Sequence, residues 1–464
     1  MPIVLRPYQQ EAVERVRLAF MAGHRAVLFV LPTGGGKTVV FSHIAEQAAA
    51  RGNRIAVLVH RVELLDQACR SLEAMGVRHG VIAAGRSINL AAPVQVASVQ
   101  TLARRLGQLP ADLFQLLVID EAHHSNAGTW ARVISHFRSA LLLGVTATPV
   151  RSDGRGLGEF YSALVLGPSA SWLAESGYLA PARVFAPPLG FSVKGLRRRM
   201  GDFDLNQAAG QLGGSRILGD AVSHYCNHLQ GGTAIAFCCS IAHAQAVASA
   251  FAERGIAAAS IDGSMDTLRR RQLLEQLGAA ELKVLTSCSL IGEGVDVPSV
   301  GGCLLLRPTQ SLALHLQMIG RCLRPQPGKE AVILDHVGNI ERLGHHLDPQ
   351  DWTLEGIRKR EQARAPSVKT CPECFCAMAS ALSVCPECGH SFRPEKRELI
   401  TVAGELRELS QQELRRRRRK EQSEARSLED LVALGTQRGM KNPRGWARHV
   451  LASRQTRGQW ELLA

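Results

Sequence analysis

The residues best suited to chemistry stand between Leu31 and Thr38, where the chain reads Leu-Pro-Thr-Gly-Gly-Gly-Lys-Thr. Through Thr33, Gly34, Gly35 and Gly36 the backbone can turn its N–H groups toward phosphate oxygens. Lys37 then offers a point charge to the outer phosphates, and the Thr38 hydroxyl can ligate Mg2+. The bland alternative is a glycine turn that binds nothing, and Leu31 is bulkier than the small residue the strict pattern wants. A second constellation answers it, Asp120-Glu121-Ala122-His123. Asp120 is placed to hold Mg2+ through water and Glu121 to polarise an attacking water. Phosphoryl transfer needs that division of labour, because its catalysis is mostly positioning and charge neutralisation. An Asp-Glu pair alone is common, but the two motifs in this order point to a nucleoside triphosphatase.

Both motifs need rigid strands to present them. The apolar runs 25–31 and 114–119 read as buried parallel strands, and the residues from Thr38 onward, with Val39, Val40, Ile44 and Ala45, read as a helix. Further short strands are expected at 55–59, 94–99, 141–145, 234–237, 283–287, 302–306 and 331–334, alternating with helical stretches. Such alternation predicts α/β lobes with parallel sheets. A chain of 464 residues, 45% of them hydrophobic, suffices for about three domains.

Taken in order, these residues resemble superfamily 2 helicases of the DEAH/DExH type over about residues 1–345. Leu5-Arg6-Pro7-Tyr8-Gln9-Gln10 is similar to the adenine-side motif of the branch containing DNA-repair helicases and restriction-enzyme motor subunits. That likeness implies that Arg6 and Gln9 belong to the nucleotide site, with Gln9 at the base. Segments 57–67, with Arg61, and 97–102, with Gln100 and Thr101, resemble motifs lining the nucleic-acid track. Segment 144–149 resembles the motif that couples hydrolysis to strand movement. Farther on, Ile261-Asp262-Gly263-Ser264 resembles a nucleic-acid contact loop. Segment 291–298, with Gly294 and Asp296, resembles a motif whose acid approaches the nucleotide. Segment 317–324, with Gln317, Arg321 and Arg324, resembles the arginine-finger motif. The resemblance implies two tandem RecA-like lobes, 1–185 and 186–350, with ATP and Mg2+ between them and Lys37, Asp120, Glu121, Gln317, Arg321 and Arg324 as the catalytic set. A guanidinium reaching across a cleft stabilises the transferred phosphoryl only when the lobes close. Taken alone, paired arginines at a helix end would be read as solvated or bridged to acids.

Cys371-Pro-Glu-Cys374 and Cys385-Pro-Glu-Cys388 have the spacing of a zinc ribbon, 366–394, holding Zn2+ by four thiolates, with Cys376 and His390 as competing ligands and redox chemistry or disulfides as the other account of the pairs. So short a segment has too little core to fold without a staple. The other seven cysteines are scattered through the lobes, a distribution that suits a reducing, cytoplasmic setting. With no apolar run of about eighteen residues and no leader, no membrane span or export is expected. Residues 351–464 carry 22 Lys plus Arg against 15 Asp plus Glu, half of the net charge of +14. Within the basic helical tail, 395–464, Ser410-Gln-Gln-Glu413 reads as a capping box ahead of Arg415, Arg416, Arg417, Arg418 and Arg419. Such a run binds polyanions through phosphate contacts, or else is a solvated helix or linker. Trp446, set among basic residues, suits stacking on a base or simply packing in a small helical cap. Between the lobes, Lys194, Arg197, Arg198 and Arg199 form a charged insert that touches nucleic acid or is a solvated face. Gly201-Asp202-Phe203-Asp204 resembles a segment common in this branch, with no chemistry attached.

These readings converge on an α/β chain of two RecA-like parallel-sheet lobes, a small zinc ribbon and a basic tail, acting as an ATP-dependent helicase or translocase on DNA. The rival enzymes are a motor that tracks duplex without separating strands and an RNA helicase. The rival from another class is a zinc-ribbon nucleic-acid binder that uses ATP as a switch, against which Glu121, Arg321 and Arg324 argue. Protein partners cannot be read from the sequence.

Overall fold

The computed structural model describes residues 4–124, 128–151, 155–186, 198–199, 202–205, 208, 215–288, 300–356, 368–371, 373–379, 382–392, 422, 424–425, 427–437, 443–448 and 450–451. Segment 291–298, with Gly294 and Asp296, the capping box at 410–413 and Arg415 through Arg419 lie outside the described residues.

The first lobe is built on seven parallel strands: β1 (Ala26–Val30), β2 (Ile55–Val59), β3 (His79–Ile82), β4 (Val94–Ser98), β5 (Leu116–Asp120), β6 (Leu141–Thr146) and β7 (Ala163–Leu166). They lie in the order β3-β4-β2-β5-β6-β1-β7. Every residue of β2 and β5 is buried, as expected of parallel strands covered on both faces. Helices Pro7–Met21, Lys37–Ala50 and Val62–Ala74 cover one face, burying Val16, Val40, Phe41 and Leu72. Val99–Arg105 and Gly128–His136 cover the other, with Leu102, Trp130 and Val133.

The second lobe has six parallel strands, β8 (Ala182–Phe185), β11 (Ala234–Phe237), β12 (Ala258–Ile261), β13 (Val284–Ser287), β14 (Gly302–Leu305) and β15 (Ala331–Asp335), ordered β12-β13-β11-β14-β15-β8. The hairpin of β9 (Arg198–Arg199) and β10 (Asp202–Phe203) intervenes in the chain. Residues 182–185, placed in the first lobe by the sequence reading, form the edge of the second sheet. The chain leaves the first lobe earlier, after helix Ala170–Glu175, and Ala331 N–H donates to Pro181 O at 2.8 Å as β8 begins beside β15.

Two further segments return to the lobes. Beyond the second sheet, Gly158 N–H donates to Leu354 O at 2.8 Å, Arg155 and Gly356 form an antiparallel bridge, and Trp352 and Leu354 pack against the first lobe's core. The antiparallel pair β16 (Val368–Thr370) and β17 (Ala377–Ala379) then extends the edge at β8. Phe185 bridges Cys376, and Ala186 N–H donates to Phe375 O at 2.9 Å.

The chain divides into two compact units, Met1–Arg393 and Pro394–Ala464. In the second, helix Leu428–Gln437 and the helical residues 443–448 bury Leu431, Ala447 and Val450 with Trp446 packed on them. Trp446 is half-buried there. Among the described residues no helix is long and apolar enough to cross a membrane.

Candidate nucleotide site and cysteine cluster

Open α/β sheets place ligands beyond the carboxyl ends of their strands. Apart from Arg6 and Gln9, which stand at the start of the first helix, the first-lobe candidates follow such ends. Thr33 to Thr38 follow β1, Arg61 follows β2, Gln100 and Thr101 follow β4, and Asp120 and Glu121 close β5. Gly34 and Gly36 have φ of +87° and +89°, and Gly36 is the left-handed cap of helix Lys37–Ala50, a backbone that only glycine adopts at little cost. The loop thereby delivers the helix N-terminus, with its outward N–H groups, to one spot.

Tyr8 and Gln9 hold this loop from behind. The Tyr8 hydroxyl donates to Gly35 O at 2.7 Å, Gln9 Nε2 donates to the same carbonyl at 3.1 Å, and Gln9 Oε1 accepts from Arg6 N–H at 2.9 Å. Gln9 thus ties the first helix to the loop with both ends of its amide. The Arg6 guanidinium lies 4.9 Å from the centre of the Tyr178 ring, which stacks near Tyr8 and Trp172. The sequence reading missed Tyr8, whose hydroxyl has no signal beyond its place in the motif.

Lys37 Nζ donates to Leu31 O at 3.3 Å. Enclosure by protein lowers its ammonium below the usual range, Glu121 and then Asp120 oppose that shift, and Arg321 and Arg324 add to it. One cation therefore feels two acids of the first lobe and two guanidinium groups of the second. Glu121 is buried with φ of +53°, an unusual conformation for a non-glycine residue, and such strain is often found at functional sites. Its Oε2 lies 3.5 Å from His123 Nδ1, which is 3.2 Å from Thr146 Oγ1. The Thr146 hydroxyl donates to Thr148 O at 2.9 Å, so toward His123 it must accept, which puts the proton on Nδ1. His123 thereby joins the acids to segment 144–149.

In the second lobe, helix Leu312–Gly320 is capped by Ser311 and ends at Arg321. Gln317 on it is buried with no hydrogen-bond partner for Nε2 among the described residues. Gly320 presses on Thr33, and Ala180 N–H donates to Leu323 O at 2.8 Å. Beside this contact lies an interlobe cavity of about 210 Å³, lined by Pro32, Thr33 and Ala147 from one side and Leu316, Leu323 and His346 from the other. It adjoins the phosphate loop without including Lys37.

The track candidates lie on both lobes. Arg61 caps helix Val62–Ala74, and Gln100 Nε2 donates to His60 O at 3.2 Å, so the two loops meet. Gly263 is exposed after β12, beside an Asp262 that accepts from Ser264 N–H at 2.8 Å.

The sulfur atoms of Cys371, Cys374, Cys385 and Cys388 all lie within 4.8 Å of one another, with Cys371 and Cys388 3.6 Å apart and Cys374 and Cys385 3.5 Å apart. Tetrahedral thiolates at ~2.3 Å from zinc would be ~3.8 Å apart, so the donor set fits. Burial opposes ionisation of Cys385, yet the N–H groups of Cys388 and Glu387 bring its thiol down to about 7. Neither rival ligand belongs to this group of four sulfurs. Cys376 Sγ donates to Ala377 O at 3.8 Å, and His390 packs edge-on against Phe392. Arg183 Nε donates to Glu387 at 2.9 Å, and Cys371 and Cys385 are buried within the second lobe's core.

Comparison with known proteins agrees with this geometry. Residues 2–151 match the family of the type III restriction enzyme res subunit, and residues 217–326 match the helicase conserved C-terminal domain. A 51.5 kDa protein of Lactococcus phage (isolate 7-9) is 34% identical, the match covering 81% of this chain and 80% of the phage protein. The protein named putative ATP-dependent helicase IRC3, of Saccharomyces cerevisiae, is 29% identical over 76% of this chain, but the match spans only 54% of its own length. The fold is shared with the type ISP restriction-modification enzyme LlaBIII bound to DNA, at a TM-score of 0.55, 18% identity and coverage of 73% of this chain and 28% of that one. The chain thus belongs to the superfamily 2 helicases, in the restriction-enzyme-type branch, and is a nucleic-acid-stimulated ATPase of that superfamily.

Proposed function

We propose that the chain is an ATP-dependent DNA translocase or helicase working inside the cell, and that its ATP site is completed from both lobes. The observation that carries this reading is the meeting of Gly320 with Thr33 of the phosphate loop, which brings Arg321 and Arg324 of the second lobe into the electrostatic neighbourhood that Lys37 shares with Glu121 and Asp120. Bound MgATP supplies the phosphoryl group. Lys37 and the N–H groups of residues 33–38 hold phosphate oxygens, and Thr38 and Asp120 hold the Mg2+. Glu121 orients and deprotonates the attacking water, with Arg321, Arg324 and Gln317 closing from the second lobe. Arg6 and Gln9 contribute on the base side, and the likeness of segment 291–298 assigns Gly294 and Asp296 to the nucleotide as well. Arg61, Gln100, Thr101 and Gly263 take up the phosphates of the track. Arg415 through Arg419 add sequence-independent affinity that weakens with salt. DNA is favoured because the match covers a restriction-enzyme motor family and the like-folded LlaBIII holds DNA.

Phosphate release measured in parallel with single-stranded DNA, duplex DNA and RNA tests this. DNA is expected to stimulate release more than RNA, and Lys37→Ala to abolish both basal and stimulated release. Stimulation by RNA alone would replace DNA as the track. Undiminished release by the Lys37 variant would remove the motor.

We further propose that Cys371, Cys374, Cys385 and Cys388 bind one structural Zn2+. Full sulfur ligation leaves no open position for catalysis. Because Cys371 and Cys385 are buried in the second lobe's core, Cys385→Ser is expected to lower zinc from about one per chain toward zero and to lower the melting temperature. Metal analysis and thermal melting check both, and a variant retaining full zinc would exclude Cys385 as a ligand.

A further inference from the structure

Asp202, in the segment to which no chemistry was attached, does more than fill the hairpin of β9 and β10. Its Oδ2 accepts from the Thr309 hydroxyl at 2.7 Å, and its Oδ1 accepts from Gln310 N–H at 2.7 Å and from Phe203 N–H at 2.8 Å. Thr309 is fully buried, its own N–H donates to Asn339 Oδ1 at 3.1 Å, and its hydroxyl accepts from Ser311 N–H at 3.0 Å. Ser311 caps the helix Leu312–Gly320, accepting from Leu314 N–H at 3.3 Å. A continuous run of hydrogen bonds thus joins one carboxylate to the start of the helix that ends at Arg321. On the other side of the hairpin, Phe203 is buried with the Arg342 guanidinium 5.7 Å from its ring centre, and Asn339 Nδ2 donates to Arg307 O at 2.9 Å. The loop 307–311 is gripped from both sides.

We propose that Asp202 is a positioning residue for ATP hydrolysis, setting the line of helix Leu312–Gly320 and hence the place of Arg321 at the phosphate loop. Nine helical residues span ~13 Å as a stiff rod. A small change in angle at Ser311 is therefore delivered undiminished to Gly320, which already touches Thr33. Catalytic groups displaced by ~1 Å lose rate steeply while ground-state binding, made by other residues, persists. The idea rests on Arg321 acting in hydrolysis as proposed above.

The test is steady-state, nucleic-acid-stimulated phosphate release by the full chain, with thermal melting of each variant. Asp202→Asn keeps the shape but sets an amide NH2 against the Thr309 hydroxyl donor or the Gln310 N–H. It is expected to lower kcat ~10-fold or more with KM for ATP changed less than ~2-fold. Thr309→Val should reproduce the loss, Thr309→Ser should retain activity, and the double variant Asp202→Asn/Thr309→Val should be no worse than either single one, since the pair acts as a unit. If Asp202→Asn does not fold, the Thr309→Val and Thr309→Ser pair carries the same test alone. A wild-type kcat in folded Asp202→Asn or Thr309→Val, or a loss confined to KM, overturns the positioning role. Arg321→Ala run alongside separates the two ideas. If it too keeps full turnover, the underlying reading of the site has failed, whereas if it is dead while Asp202→Asn is not, only the role of Asp202 has failed.

Discussion

Replacing Arg321 by Ala is expected to lower nucleic-acid-stimulated ATP turnover ~10³-fold or more, the range over which a guanidinium supplied to a transferring phosphoryl group acts. The groups proposed to hold the ground-state nucleotide, Lys37 and the loop N–H donors, belong to the first lobe, whereas Arg321 follows a second-lobe helix. The affinity for ATP should consequently change little, and the loss should fall on kcat. Arg321→Lys should not restore the rate, because an ammonium cannot present the planar fork of donors. Steady-state phosphate release at saturating nucleic acid, beside equilibrium binding of a fluorescent ATP analogue, checks both halves. Turnover within ~3-fold of the parent would mean that charge on the transferred group is met by some other residue.

The second large effect is steric. A Cβ built on Gly320 would lie 2.5 Å from both Cβ and Cγ2 of Thr33. Ordinary carbon contacts begin near ~3.5 Å, so the surfaces must part by about an ångström. Gly320→Val is expected to cost ~10²-fold in kcat, since Arg321 is the next residue and retreats with it, while the cradle proposed to bind nucleotide stays intact. Hydrolysis and nucleotide binding measured together decide the matter. Wild-type hydrolysis by Gly320→Val would show that Thr33 and Gly320 need not meet for turnover.

The two sheets were readable because their central strands are continuous apolar runs. Residues 55–59 and 116–120 are buried throughout, and no competing pattern fits them. Within these two sheets the strands that escaped detection are β3, β7, β8 and β12. In β3 and β12 only the last residue is fully buried, because an edge strand covers one side only and alternates too briefly to stand out. The phosphate loop, the acids and the cysteine pairs were legible for a different reason: their chemistry forces particular residue types into fixed local spacing. Contacts made across the chain leave no such trace. Asp202 meets Thr309 across 107 positions, and neither residue type announces the other. The meeting of Thr33 and Gly320 is equally silent, as is the docking of the cysteine cluster on the edge of β8.

The return of residues 352–356 to the first lobe has a mechanical consequence. The crossing near Leu179 to Pro181 is one joint between the halves, and the hydrogen bond from Gly158 to Leu354 with the seated Trp352 ring makes another. A body held at two points can swing about the axis through them but cannot drift or tumble. While both joints hold, the motion expected of the proposed motor is a rotation about that axis, like a door on a pair of hinges.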